Sequence, residues 1–160
     1  MVKKKVGIAG YGIIGKRRRQ YIDNNPHLQT IAVCDQNLEN NTVLEDGLKC
    51  FSNFQHLLEE PLDVLFISMP NYMAPEVTMA GLERGMHIFC EKPPGRNVED
   101  IENVFQVKQK YPKLHLKYGF NHRYHDSVRD ALEIIKLEKL GKIIYLRGIY
   151  GKSIISPFNK

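Results

Sequence analysis

Lys4-Lys5-Val6-Gly7-Ile8-Ala9-Gly10-Tyr11-Gly12-Ile13-Ile14-Gly15 is the stretch that decides the fold. Residues 4–9 are a short run rich in β-formers. Residues 13–24 can continue as a helix, stopped by Asn25-Pro26. Between them Gly10, Gly12 and Gly15 fit the spacing G-x-G-x-x-G, with Ile13 and Ile14 inside it. Glycines so spaced also mark plain turns, so the context matters. A β-type run precedes the loop, a helix follows it, and Asp35 stands 20 positions after Gly15 at the end of the next β-type run, 30–34. Gly10 then permits the tight turn, Gly12 lets backbone approach a pyrophosphate, and Gly15 lets helix and strand pack closely. The helix N-terminus supplies N–H groups and partial positive charge for phosphate. A carboxylate at position 35 can accept both ribose hydroxyls and repels a 2′-phosphate. Gln36 and Asn37 offer no cation to receive one, so the pattern predicts NAD rather than NADP.

Further along, strand-like and helix-like segments alternate. Residues 49–51 form a short strand and 54–59 a short helix ending before Pro61. Residues 63–68 are nearly continuously apolar, as in a strand buried on both faces. Pro75 suits a helix's first turn and Gly85 its C-terminal end. Residues 86–90 and 114–119 are further strands. Between them Asn97 can cap a helix whose first turn holds Glu99 and Asp100. Six strands joined by helices predict an α/β fold with a doubly wound, mostly parallel sheet, the Rossmann arrangement, over residues 1–121.

Residues 122–160 do not fit that unit. Residues 127–140 read as a helix with two apolar stripes, Val128, Ala131, Leu132 and Ile135 on one side and Ile134, Leu137 and Leu140 on the other. A helix apolar on two faces needs two partners. Residues 142–151 read as a strand, and an unpaired strand is not stable alone. The expectation is a linker helix and one strand of an incomplete second domain, the strand inviting pairing with another copy or homo-oligomerisation.

Composition excludes several classes. The chain has 160 residues, 42% hydrophobic and 26% charged, an ordinary globular balance. No segment approaches the 18 consecutive apolar residues of a membrane span. The basic start and apolar run resemble a signal peptide, but four glycines and then Lys16-Arg17-Arg18-Arg19 follow, with no cleavage site. Cys34, Cys50 and Cys90 are odd in number and lack metal-ligand spacing, so no metal site is expected. Three reduced, buried thiols point to the cytoplasm. The net charge of +5 clusters at residues 3–5 and 16–19 without interleaved aromatics, which argues against nucleic acid. On a helix the run 16–19 points around the whole circumference, and most of it is expected to be solvated.

With the glycine loop and Asp35, three further motifs matter: Ser68-Met69-Pro70-Asn71, Glu91-Lys92-Pro93 and Phe120-Asn121-His122-Arg123-Tyr124. Together they resemble the N-terminal region of the Gfo/Idh/MocA oxidoreductases, over nearly the whole chain. That resemblance implies NAD(P)-dependent redox chemistry at a sugar, polyol or nucleotide-sugar hydroxyl. It implies that Met69, Pro70 and Asn71 line the cofactor and that Glu91 and Lys92 sit near the nicotinamide ribose and reacting carbon. Asn121 and Arg123 join the cofactor-binding candidates, Arg123 close to nicotinamide and substrate.

Chemistry supports Lys92 independently as the candidate catalytic residue, since a cation can stabilise the oxygen that develops charge as hydride leaves a carbinol. A cis Lys92–Pro93 bond is one way to aim it. The resemblance also implies a second α+β domain that supplies an acid/base pair. Only His125 and Asp126 follow Tyr124 as candidates for that role. The 160 residues alone are therefore expected to bind a dinucleotide and turn over poorly. A non-catalytic NAD-binding sensor is the alternative. A methyltransferase using a similar glycine loop is disfavoured by Glu91-Lys92-Pro93 and the strand order.

Overall fold

Strand β1 (Lys4–Ala9) occupies the middle of a seven-stranded sheet. In chain order the other strands are β2 (Leu28–Cys34), β3 (Thr42–Val43), β4 (Lys49–Phe51), β5 (Val64–Ile67), β6 (His87–Cys90) and β7 (Leu116–Tyr118). The helices are α1 (Ile13–Asp23), α2 (Phe54–Leu57), α3 (Ala74–Glu83), α4 (Val98–Lys110) and α5 (Asp126–Lys136). The computed structural model describes residues 2–39, 41–149 and 151. The chain divides into two units, Met1–Phe120 and Asn121–Lys160.

The sheet order is β3-β4-β2-β1-β5-β6-β7, and every pairing is parallel except β3 with β4. The doubly wound fold follows from the buried strand runs. Successive residues of a strand face opposite sides of the sheet. Val6, Ile8 and Val33 therefore enter one core with Ile22 of α1, while Ala9, Ala32 and Cys34 enter the other with α2 and α3. On α3 the buried Ala74, Val77, Thr78, Gly81 and Leu82 recur at helical spacing. Gly85, at φ +82°, follows its end. On α4 the Asn97 side chain accepts a hydrogen bond from the Asp100 N–H at 2.9 Å, the expected cap.

Three expectations are corrected. A seventh strand, β3, pairs antiparallel at the edge, and two residues are too few to show any period. The helix expected over 127–140 ends at Lys136, with Glu138 at φ +54° and Gly141 at φ +60°. Burial of an apolar face supplies most helix stability, and Ile134, Leu137 and Leu140 stay exposed, so nothing favours the last turn. The strand expected over 142–151 is absent among its described residues. Among the described residues no partner strand completes its hydrogen bonds. Tyr150 and residues 152–160 of that expected segment lie outside the described residues.

Candidate functional site

In an open parallel sheet, ligands bind beyond the carboxyl ends of the strands where the winding reverses. Here that point lies between β1 and β5, because β2 and β5 flank β1 on opposite sides. The glycine loop leaves β1 and Ser68-Met69-Pro70 leaves β5, so both emerge at this crevice. The Gly10 and Tyr11 N–H groups both donate to the Cys34 carbonyl, at 2.9 and 3.1 Å. The Ser68 N–H donates to the Ala9 carbonyl at 2.7 Å. The loop is thus tied to both neighbouring strands.

Each motif glycine meets a different constraint. Gly10 stands at φ +88°, and a Cβ there would lie 2.5 Å from the Ser68 carbonyl oxygen. A Cβ on Gly15 would run into the Gly10 carbonyl oxygen. Around Gly12 a Cβ would meet nothing within 4 Å, which is the open space a ligand needs to approach backbone. Helix α1 starts immediately after Gly12, and no side chain caps its N-terminus. Its first N–H groups therefore remain available to an anion.

Two adjoining hollows run across the crevice. The first, about 380 Å³, is lined by Gly10, Gly12, Asp35, Asn53, Phe54 and Tyr72 among others. The second, about 330 Å³, is lined by Ile14, Glu91 and Lys92. Ser68, Met69 and Pro70 line both, which joins them into one groove. The Ser68 hydroxyl oxygen is buried at this junction and has no protein hydrogen-bond partner. A dinucleotide fits these features. The groove offers bare backbone at Gly12, an open helix N-terminus, an unsatisfied hydroxyl midway, a carboxylate at one end and a cation at the other.

Asp35 is half-buried at the groove's rim. Its Oδ1 accepts from the Asn37 N–H at 3.1 Å and from Asn37 Nδ2 at 2.9 Å, which leaves Oδ2 for a ligand. Lys92 is exposed, and its ammonium forms no ion pair among the described residues. The Lys92–Pro93 bond is cis. The segment beyond is anchored by Asp100, which accepts from the Arg96 N–H at 2.8 Å, from Arg96 Nε at 3.0 Å and from Arg96 Nη2 at 3.0 Å.

The Arg96 guanidinium holds the Asp100 carboxyl down at about 2. An unfolded aspartate titrates near about 3.9. A depressed carboxylate stabilises the fold above its unfolded value, and that contribution is lost as pH falls through about 2. The Asp100→Asn variant is thus expected to melt below the parent at pH 7. In a series of thermal melts the gap should close between about pH 4 and pH 2. A gap that stays constant over that range would contradict this role.

Not every residue expected at the site lines it. Ile13 is 83% exposed and lies outside the lining, as does Asn71 in the turn before α3. Asn121 and Arg123 lie on the 3-10 turn Asn121–Tyr124 of the second unit. The sequence reading overlooked Asn53 and Phe54, although they follow the carboxyl end of β4 and so share the crevice by topology. It also overlooked the Ser68 hydroxyl. The thiols are inert, since burial pushes Cys34 up to about 12 and Cys90 up to about 11. Among the described residues no cluster of His, Cys, Asp or Glu could hold a metal ion, and no helix is long and apolar enough to cross a membrane.

Fold, loop and groove together define a dinucleotide-binding Rossmann domain. Residues 4–120 match the profile of the oxidoreductase family with an NAD-binding Rossmann fold. The chain belongs to this family, the Gfo/Idh/MocA oxidoreductases, whose Rossmann domain is described as NAD-binding. It is 25% identical over 152 residues to inositol 2-dehydrogenase of Corynebacterium glutamicum, covering 91% of this chain and 45% of that protein. It is 30% identical over 144 residues to D-glucoside 3-dehydrogenase of Escherichia coli, covering 87% and 41% respectively. The crystal structure of scyllo-inositol dehydrogenase from Lactobacillus casei, with bound NAD(H) and scyllo-inositol, superposes with a TM-score of 0.75 at 26% identity. That match covers 87% of this chain and 42% of the other. The chain thus spans less than half the length of the curated relatives it matches.

Proposed function

We propose that this chain is the cofactor-binding half of an NAD-dependent oxidoreductase acting on a sugar, polyol or nucleotide-sugar hydroxyl, in the cytoplasm. The observation that carries the proposal is the continuity of the groove, which brings Asp35 and Lys92 to the two ends of one crevice beside an open Gly12. Relatives that act on inositols and glucosides support the substrate class. Three buried free thiols suit a reducing compartment.

NAD, when bound, supplies the acceptor or donor of hydride. The protein supplies position and charge. The N-terminus of α1 and the Gly12 backbone would hold the pyrophosphate, and Asp35 Oδ2 would accept hydrogen bonds from the ribose hydroxyls. Lys92 places an ammonium beside the substrate oxygen, where a preorganised cation stabilises developing negative charge. Proton removal from the hydroxyl still needs a base, worth roughly 10²–10⁴-fold. Among the described residues that line the groove, Lys92 is the one cation and none is a histidine.

A fluorescence titration is expected to show saturable NADH binding by the 160-residue chain. An assay with NAD and inositols, sugars and nucleotide sugars is expected to show no multiple turnover. Absence of NADH binding would end the cofactor reading. Rapid turnover would overturn the need for a base from elsewhere.

A further inference from the structure

Of the basic run 16–19, expected to be mostly solvated, Lys16 and Arg17 are exposed whereas Arg18 and Arg19 are half-buried. Arg19 donates from Nη1 to the Tyr11 hydroxyl at 3.0 Å and pairs with Asp23 and Asp46, which fastens the glycine loop. Arg18 does something else. It lies four residues, about one turn, after Ile14 and so on the same face of α1. That face looks onto the second hollow, which Ile14 lines. Arg18 Nε donates to Glu91 Oε1 at 2.6 Å, and Nη2 contacts the same carboxylate oxygen. The guanidinium carbon stands 5.2 Å from the centre of the Phe89 ring. The two charged side chains are only 25% and 13% exposed.

Glu91 is confined from the other side as well. A Cβ on Gly119 would lie 2.8 Å from Glu91 Oε2 and 3.4 Å from its Cα, so a larger residue there would displace the carboxylate. The Glu91 N–H donates to the Ile67 carbonyl at 2.8 Å, and the Gly119 N–H donates to the Cys90 carbonyl at 2.8 Å. The residue after this clamped glutamate is Lys92.

We infer that Arg18 is a positioning residue for Lys92. By clamping the Glu91 carboxylate it fixes the backbone from which the lysine reaches into the groove, and so couples α1 to the nicotinamide end. This inference rests on the dinucleotide reading of the same groove. A guanidinium already paired with a carboxylate adds little net field at a pyrophosphate, so Arg18 is not a phosphate ligand. Its planar fork predicts that lysine would replace it only in part.

The test uses the full chain, its Arg18→Lys, Arg18→Met and Glu91→Gln variants, and the double variant Arg18→Met/Glu91→Gln. Two ligands are compared: NADH, and ADP-ribose, which lacks nicotinamide. Arg18→Met and Glu91→Gln are expected to weaken NADH roughly 5–20-fold and to leave ADP-ribose within about twofold. The double variant should be no worse than the worse single, and Arg18→Lys should recover part of the loss. A second arm needs no ligand. Labelling of Lys92 by an amine-reactive reagent, followed by mass spectrometry, should accelerate at least about threefold in Arg18→Met relative to Lys113, with no further gain in the double variant.

Equal weakening of NADH and ADP-ribose would make Arg18 a phosphate-field cation and overturn the proposal. Unchanged NADH affinity with unchanged Lys92 labelling would reduce the pair to a plain structural contact. If the parent bound neither ligand, the dinucleotide reading would fall by itself, and the labelling arm would still decide whether Arg18 sets Lys92.

Discussion

The Gly12→Val variant is expected to lose NADH affinity by roughly 100-fold or more, about 2.7 kcal/mol, while melting within a few degrees of the parent. The two halves of this prediction come from one observation. Among the described residues nothing lies within 4 Å of a Cβ at this position, so none of them has an atom to push aside. Under the proposed reading that space receives the ligand. An isopropyl group there would stand between the pyrophosphate and the N–H groups of α1. Gly15 is the contrasting case, since its Cβ would run into the Gly10 carbonyl oxygen and part α1 from the end of β1. Gly15→Val should therefore lose binding by losing stability, with a melting temperature far below the parent's. Measuring both variants by thermal melt and by NADH titration separates the two causes. A Gly12→Val variant that binds NADH like the parent would mean that the loop does not carry the phosphates. One that fails to fold would mean that the open space is not real.

The glycine loop was legible in the sequence because its constraints are local. A positive φ at Gly10 and a close approach at Gly15 leave a fixed trace in the residue types. The strands were legible for a similar reason, since a continuous apolar run such as Val64-Leu65-Phe66-Ile67, buried on one face and half-buried on the other, needs no distant partner to be recognised. The Asn97 cap was equally local. What escaped depends on contacts far apart in the chain. Arg18 and Glu91 are 73 residues apart, and nothing in Lys16-Arg17-Arg18-Arg19 distinguishes the arginine that finds a carboxylate from those that face water. The helix over 126–136 and the segment after it show the opposite failure. Their apolar stripes predict a longer helix and a strand, because hydrophobic periodicity carries no information on whether a partner surface is met. Among the described residues Leu137 and Leu140 stay exposed, the helix stops at Lys136, and no strand follows it.

NADH is expected to bind at least about 100-fold more tightly than NADPH, and Asp35→Ala is expected to shrink that gap by lowering NADH affinity roughly 10–100-fold. The Asp35 carboxylate is already oriented, because both the N–H and the side-chain amide of Asn37 donate to Oδ1. Little ordering is left to be done when a ligand arrives, so hydrogen bonds to Oδ2 add to affinity with little offset. A hydrogen bond to a charged acceptor contributes about 1.5–3 kcal/mol, which sets the expected loss on truncation. A 2′-phosphate would instead place its charge against the same carboxylate. Neither Gln36 nor Asn37 can answer it with a cation, and no arginine or lysine lines that hollow. Asp35→Ala removes the repulsion without creating an attraction, so NADPH should gain at most a few-fold. Adding a cation as Asp35→Ala/Gln36→Arg should bring NADPH level with NADH or ahead of it. Asn37→Ala should weaken NADH by less than Asp35→Ala, since the acceptor remains and only its orientation is lost. Equal affinity of the parent for both cofactors would refute the role given to Asp35. A preference for NADH that survives Asp35→Ala would move discrimination elsewhere in the groove, with the wall formed by Asn53 and Phe54 as the next residues to change.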